Sequence, residues 1–164
     1  TSHRPEEHEA LLAEYRANAR RPRGALLMGV MRGRASEGTD FLDDEARGVV
    51  VVGVPLPAKT VETELQIEHL DAVARAAGAG RAWYEREAMV AVSQAAGRLV
   101  RHRGDFGCLV LLDERYCAPK DRLPAGLSPW IRDAVRMADA APFAGTVRGF
   151  FDAHARGGVE AGAE

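Results

Sequence analysis

The sequence predicts an α/β domain with a mostly parallel sheet flanked by helices. Three observations carry this prediction. Short apolar runs alternate with segments of helical periodicity, the order expected when parallel strands are joined by crossover helices. The unbroken run Val49-Val50-Val51-Val52 implies a strand buried on both faces, as in a sheet covered by helices on each side. A charged, glycine-hinged loop, residues 32–41, follows an apolar run, and α/β sheets present their ligand-binding loops at the C-terminal ends of strands.

Each element follows from local chemistry. Residues 6–19 read as a helix, with Leu11, Leu12 and Tyr15 at helical spacing. Residues 20–24 form a basic turn. Residues 25–30 and 48–54 read as strands, and Pro55 and Pro57 end the second. Residues 61–77 are predicted helical and residues 78–80 break that helix. A long helix is predicted over residues 83–102 and a third strand over residues 106–112. A loop holding Pro119 and Pro124 follows. Ser128-Pro129 reads as an N-cap followed by proline at the first helical position. Phe143, Val147, Phe150 and Phe151 give a last helix one apolar face. The expected organisation is one domain over residues 1–156 and a disordered tail over residues 157–164.

Bulk properties bound the function classes. A chain of 164 residues suits one domain with a sizeable core. The net charge of −2 excludes neither nucleic acid nor other partners, because the placement of charge decides. Two cysteines, Cys108 and Cys117, make no disulfide framework, which favours a reducing compartment. No apolar run approaches the ~18 residues of a membrane span, and no signal-peptide pattern opens the chain. The chain starts at Thr1 rather than at methionine, so a fragment of a longer protein is expected.

The long helix offers the first functional signal. At roughly 100° per residue, Gln94, Arg98 and Arg101 fall within roughly 60° of one another. Ala88, Val92, Ala95, Ala96, Leu99 and Val100 lie on the other side. One face is therefore buried and the other carries three polar groups. Gly97 costs about 1 kcal/mol against alanine inside a helix, which implies a close approach there. Paired guanidiniums suit phosphate oxygens, because the planar fork donates parallel hydrogen bonds.

These residues carry a resemblance. Gln94-Ala95-Ala96-Gly97-Arg98-Leu99-Val100-Arg101 resembles motif VI (Q-x-x-G-R-x-x-R) of superfamily 2 helicases. Ser36-Glu37-Gly38-Thr39-Asp40-Phe41 resembles motif V of their XPD-like, iron–sulfur DNA helicase branch. "RGRASEGTDF" is similar to that branch's R-G-K-x-S-E-G-x-D-F, and "AWYEREAMVAVSQAAGRLVRHRGDFGCLVLLDERY" is similar to its W-Y-x-x-x-A and Q-x-x-G-R-x-x-R-H blocks with the D-Y-G and L-D-x-R-F that follow. "LSPWIRDAVRM" and "VRGFFDAHA" look most like the telomere-elongation regulators within the branch. The resemblance spans residues 25–155. Ser93 stands where the branch usually has asparagine, Arg34 where it has lysine, and "AKTVETELQ" lacks the usual D-P.

The resemblance implies the second RecA-like motor domain of an ATP-dependent DNA helicase, a three-layer domain lacking its first strand. ATP and Mg²⁺ are then shared with a first RecA-like domain, which supplies the P-loop and the acidic metal box. The iron–sulfur cluster belongs to that same missing part. Arg101 is implied as the arginine finger on the γ-phosphate. Arg98 supports it, or holds the attacking water with Gln94. Gly38 and Asp40 approach the nucleotide, although Asp40 also suits an Asx turn. Glu37 anchors the loop. Arg32, Arg34 and Ser36 are implied contacts to the DNA backbone. The implied partners are single-stranded or duplex DNA and the first motor domain, and the implied setting is the nucleus and DNA repair. The chain alone is expected to be inactive.

Other signals fail or stay open. Residues 29–36 mimic a P-loop with glycine spacing short by one and no Lys-Ser/Thr pair. Asp44-Glu45-Ala46-Arg47 spells an acidic box but follows a polar loop rather than a hydrophobic strand. His8-Glu9 lacks the second histidine of a zinc-protease helix, and the histidines show no ligand spacing with cysteine, so no metal site is assigned. Arg16, Arg20, Arg21 and Arg23 form either an anion-binding patch or a solvated helix end. Trp83 and Tyr84 either stack on bases or pack beneath the helix. A second function class, a non-catalytic nucleic-acid- or nucleotide-binding remnant or interaction module, stands beside the motor domain.

Overall fold

The computed structural model describes residues 5–33, 39, 41, 43–100, 102, 104–117, 123–137 and 140–160. It divides into two compact units, Thr1–Arg132 and Asp133–Glu164, where the sequence reading drew one domain over residues 1–156.

The first unit is built around a parallel strand pair. Strand β1 (Gly48–Val52) pairs with β2 (Cys108–Leu112) in the register Gly48↔Cys108 to Val52↔Leu112. Parallel neighbours require a crossover, and two helices provide it: α2 (Val61–Ala74) and α3 (Ala79–Gly97). Helix α1 (Pro5–Ala19) precedes the strands, and a single-turn helix α4 (Pro129–Arg132) starts at the expected proline. The parallel strand pair flanked by helices is the α/β arrangement expected from the sequence.

Helix α3 supplies more of the core than any other element. Ala88, Met89, Ala91, Val92 and Ala96 are buried along one side, joined by Val51 of β1, Leu99, Tyr116, Leu127 and Ile131. Val51, Met89 and Val92 are the largest fully buried side chains. The buried set matches the face expected from helical periodicity at Ala88, Val92, Ala96 and Leu99.

Helices α2 and α3 form a tight pair. Thr60 caps α2 by accepting from Thr63 N–H, and Arg75 closes it in the left-handed region at φ 48°. Asp71 then reaches across to accept from the N–H groups of Gly78 (3.1 Å) and Gly80 (2.8 Å). A carboxylate at a helix N-terminus satisfies otherwise unpaired donors and complements the helix dipole. Gly80 lies inside α3, although the sequence reading made it part of a helix break. A Cβ there would sit 2.2 Å from the Ile67 carbonyl oxygen, so only glycine allows this approach.

Three further expectations are corrected. Residues 25–30 form no strand: they have no ladder partner among the described residues, and Leu26, Met28 and Val30 stand exposed. A strand is defined by a neighbour that takes up its backbone groups, and apolar alternation alone does not supply one. The valine run is buried on one face only, with Val51 covered and Val50 and Val52 exposed, because α3 covers a single side of the pair. Helix α3 ends at Gly97 rather than residue 102, so Arg98 is its C-cap, and the expected helical position 101 lies outside the described residues. Gly97 is the last residue of α3, and among the described residues nothing lies within 4 Å of a Cβ built on it.

In the second unit, α5 (Ala140–Glu160) is continuous, running past residue 157, where the tail was expected to start. Phe150 meets the Phe151 ring edge-on at 5.2 Å and the His154 ring at 4.2 Å.

Candidate functional site

The last turn of α3 brings the two motif segments together. Arg98 is half-buried, and its backbone N–H closes the helix onto Ala95 and Ala96 carbonyls. Its guanidinium Nη1 donates to the carbonyl oxygen of Thr39, and Thr39 is 4% exposed. A residue of the segment that resembles motif VI therefore grips the backbone of the segment that resembles motif V. Gln94, one turn earlier, is exposed. Arg34, Ser36, Gly38, Asp40 and Arg101 lie outside the described residues.

The flanks of the motif V segment are anchored on both sides. Phe41 packs edge-on against Tyr15 of α1, centroids 5.4 Å apart. The turn after it, Asp43–Glu45, places Glu45 4% exposed between Arg20 (2.8 Å) and Arg16 (3.5 Å), while Tyr15 Oη donates to the Glu45 carbonyl at 2.7 Å. Burial first, and the Glu45 charge second, raise the Tyr15 pKa above its ordinary value. The sequence reading offered an anion patch or a solvated end for the basic turn; Arg16 and Arg20 instead hold an internal carboxylate. The acidic-box spelling at Asp44-Glu45 is thereby accounted for as an anchor.

Before that loop, Arg32 takes a left-handed backbone at φ 64°. Its Nη2 donates to the carbonyl of Glu87 in α3 at 2.8 Å and its Nε to the carbonyl of Pro55 at 3.4 Å. The expected DNA contact thus turns toward protein carbonyls in this structure. Tyr84 is half-buried and donates to the Pro57 carbonyl at 2.7 Å, in keeping with packing rather than base stacking.

The segment after motif VI is clamped as well. Arg47 Nη1 meets Asp105 at 2.7 Å and the Phe106 carbonyl at 3.0 Å, its Nη2 meets Asp44 at 2.8 Å, and its guanidinium lies 4.4 Å from the Phe106 ring centroid. The Asp105 side chain is 2% exposed. Partial burial opposes the charge of Arg47, but the hydrogen bonds it donates to Asp44 and Asp105 outweigh it and raise the pKa. After β2, Asp113 accepts from Arg115 N–H and takes the Nε–Nη2 edge of its guanidinium with both carboxylate oxygens. Those hydrogen bonds hold the Asp113 pKa down at about 2. Tyr116 donates to the Gly53 carbonyl at 3.1 Å, and burial pushes its pKa up to about 12. Ser93, the departure from the family's asparagine, accepts from Ser128 N–H at 3.2 Å and ties α3 to the start of α4.

The buried acids are thus committed to arginines, and no group of three His, Cys, Asp or Glu among the described residues is arranged to hold a metal ion. An open cavity of about 400 Å³ lies beside the first half of α3, lined by Arg81, Arg86, Met89 and Gly126, away from Arg98.

Sequence reasoning missed the Glu45 anchor, the Arg47–Asp105 clamp and the Arg32 contacts. A signal existed for the first: Arg16 in the last turn of α1 and Arg20 just past its end stand four apart, a spacing that brings side chains to one side.

Comparison with known proteins places this geometry in context. The helicase C-terminal domain family model matches residues 1–134. The chain is 43% identical over 116 residues to the Fanconi anemia group J protein homolog of Gallus gallus, covering 69% of this chain and 9% of that protein. It is 40% identical over 144 residues to the regulator of telomere elongation helicase 1 homolog of Anopheles gambiae, covering 84% and 14% respectively. The human regulator of telomere elongation helicase 1 is 41% identical over 123 residues, covering 71% and 10%. The chain spans about a tenth of the length of these curated relatives.

Proposed function

We propose, because the chain belongs to the helicase C-terminal domain family, that it is the second RecA-like motor domain of an ATP-dependent DNA helicase. The observation that supports this most is the bond from Arg98 to the Thr39 carbonyl, which joins the motif VI segment to the motif V segment.

Phosphoryl transfer asks the protein for positioning and charge neutralisation more than for covalent chemistry. Arg101 is the arginine finger that neutralises charge developing on the γ-phosphate. Arg98 fixes the loop that carries Gly38 and Asp40, which approach the nucleotide. Gln94 orients the attacking water. Arg34 and Ser36 contact the DNA backbone at the start of motif V. Glu45, Asp105 and Asp113 are each held by arginine, so this domain brings cations to the nucleotide. The Mg²⁺ ligands, the P-loop and the iron–sulfur cysteines of this reading belong to the first motor domain and its insertions. The relatives' names, a telomere-elongation regulator and a Fanconi anemia group protein, support a nuclear role in DNA repair.

Steady-state phosphate release tests the proposal. The purified 164-residue chain should release none, with or without single-stranded DNA. A helicase carrying this segment beside a first motor domain should show DNA-stimulated release. DNA-stimulated release by the chain alone would place a complete nucleotide site within it and overturn the division of labour.

A further inference from the structure

Two guanidiniums tie described residues on either side of positions 34–38 to α3 or its C-cap. Before those positions, Arg32 donates to the carbonyls of Glu87, at 2.8 Å, and Pro55, at 3.4 Å. After them, the Thr39 carbonyl accepts from Arg98 at the C-cap of α3. Glu87 and Arg98 stand 11 positions apart on the sequence, about 16 Å along a helix axis.

The backbone at Arg32 serves the same purpose. Among the described residues only Arg32 and Arg75 are non-glycine residues with positive φ. Arg75 closes a helix, where the left-handed region is common; Arg32 closes none. L side chains avoid this conformation, so the surrounding contacts must hold it. The turn is held further by the Gly33 N–H to Val30 carbonyl bond at 3.0 Å, and a Cβ on Gly33 would lie 2.9 Å from that oxygen. Glycine is therefore needed directly after the left-handed arginine.

We propose that Arg32 is a positioning residue that clamps the motif V loop to α3 through backbone carbonyls and does not bind DNA phosphate. The Nε–Nη2 edge is one of the edges with which a guanidinium grips an oxyanion bidentately, and here both of its nitrogens point to carbonyls. The proposal rests on reading the loop as motif V. One helix then holds the residue before the loop, through Arg32, and Thr39 within it, through Arg98.

The test uses the 164-residue chain, hydrogen exchange read by mass spectrometry, and a fluorescent oligothymidylate titrated at several salt concentrations. Arg32→Gln should speed exchange across residues 33–41 by about tenfold or more while leaving β1 and β2 protected. It should leave the salt dependence of oligonucleotide binding unchanged. Arg32→Lys should speed exchange in the same way, because an ammonium has no fork to span two carbonyls, whereas a phosphate contact would survive that change. If Arg32→Gln does not fold, Arg32→Gly, which suits the left-handed backbone, must show the same acceleration. Unchanged exchange in residues 33–41 overturns the clamp. So does a log–log salt slope flattened by about 0.7, the loss of one phosphate contact on a single strand. Should the parent chain not bind the oligonucleotide, the motif V reading fails, and the exchange result alone upholds or overturns the clamp.

Discussion

Replacing Arg98 with methionine removes the bond to Thr39 while keeping most of the aliphatic stem. The magnitude follows from the surroundings. Hydrogen bonds to charged groups contribute about 1.5–3 kcal/mol. Thr39 is 4% exposed, so its carbonyl loses a charged donor where water has little access. Residue 98 itself is half-buried, which lets solvent recover part of the loss. We therefore expect about 1.5–2 kcal/mol of destabilisation, or roughly 3–8 °C in Tm for a domain of this size. Arg98→Lys should recover less than half of it, because a shorter point charge cannot reproduce the guanidinium geometry. The assay is urea unfolding followed by circular dichroism, comparing parent, Arg98→Met and Arg98→Lys. A loss for Arg98→Met below about 0.5 kcal/mol, the range of ordinary surface changes, would show that the bond does not hold the two motif segments together.

Other perturbations test the supporting contacts. Arg47→Ala should cost about 3–5 kcal/mol, because it takes the paired cation from a carboxylate whose side chain is 2% exposed, and adding Asp105→Asn should restore part of the loss; equal single- and double-variant stabilities in chemical denaturation would contradict the clamp. Gly80→Ala should lower the melting temperature despite alanine's better helix propensity, because the new methyl would meet the Ile67 carbonyl at 2.2 Å; a neutral or stabilising outcome would mean that α2 and α3 do not approach as described. The pH dependence has two limbs. The Asp113 pKa is held at about 2, so its contribution is present above the ordinary carboxylate value near pH 4 and is lost as pH falls toward 2. The Tyr116 pKa is raised to about 12, so its contribution is present below about pH 10 and is lost as pH rises toward 12. Asp113→Asn should flatten the acid limb, and Tyr116→Phe the alkaline one, in stability measured against pH.

Helix positions were legible wherever a local rule decides them. Proline opens α4, periodicity gives α1 to within a residue, and the buried side of α3 follows from its apolar spacing. Non-local facts were not legible. Leu26, Met28 and Val30 alternate like a strand, but a strand also needs a partner, and alternation does not reveal one. Four valines show what can be buried, and only the placement of α3 decides that Val51 is covered while Val50 and Val52 are exposed. At the site, the resemblance named both motifs, but the bond that joins them links residues 59 apart. Glu45 likewise finds its arginine 25 positions away. The resemblance implied Arg32 as a DNA contact; its left-handed backbone and its carbonyl acceptors are features of the folded chain that no local pattern reveals.

The most direct measurement is ATP turnover with single-stranded DNA by a helicase carrying this segment, with Arg101 changed to alanine. The account predicts a fall of about 1,000-fold or more, the scale of a lost arginine finger, with the melting temperature kept. Turnover within about tenfold of the parent would contradict it, because the domain would then not supply the cation on which the proposed phosphoryl transfer depends.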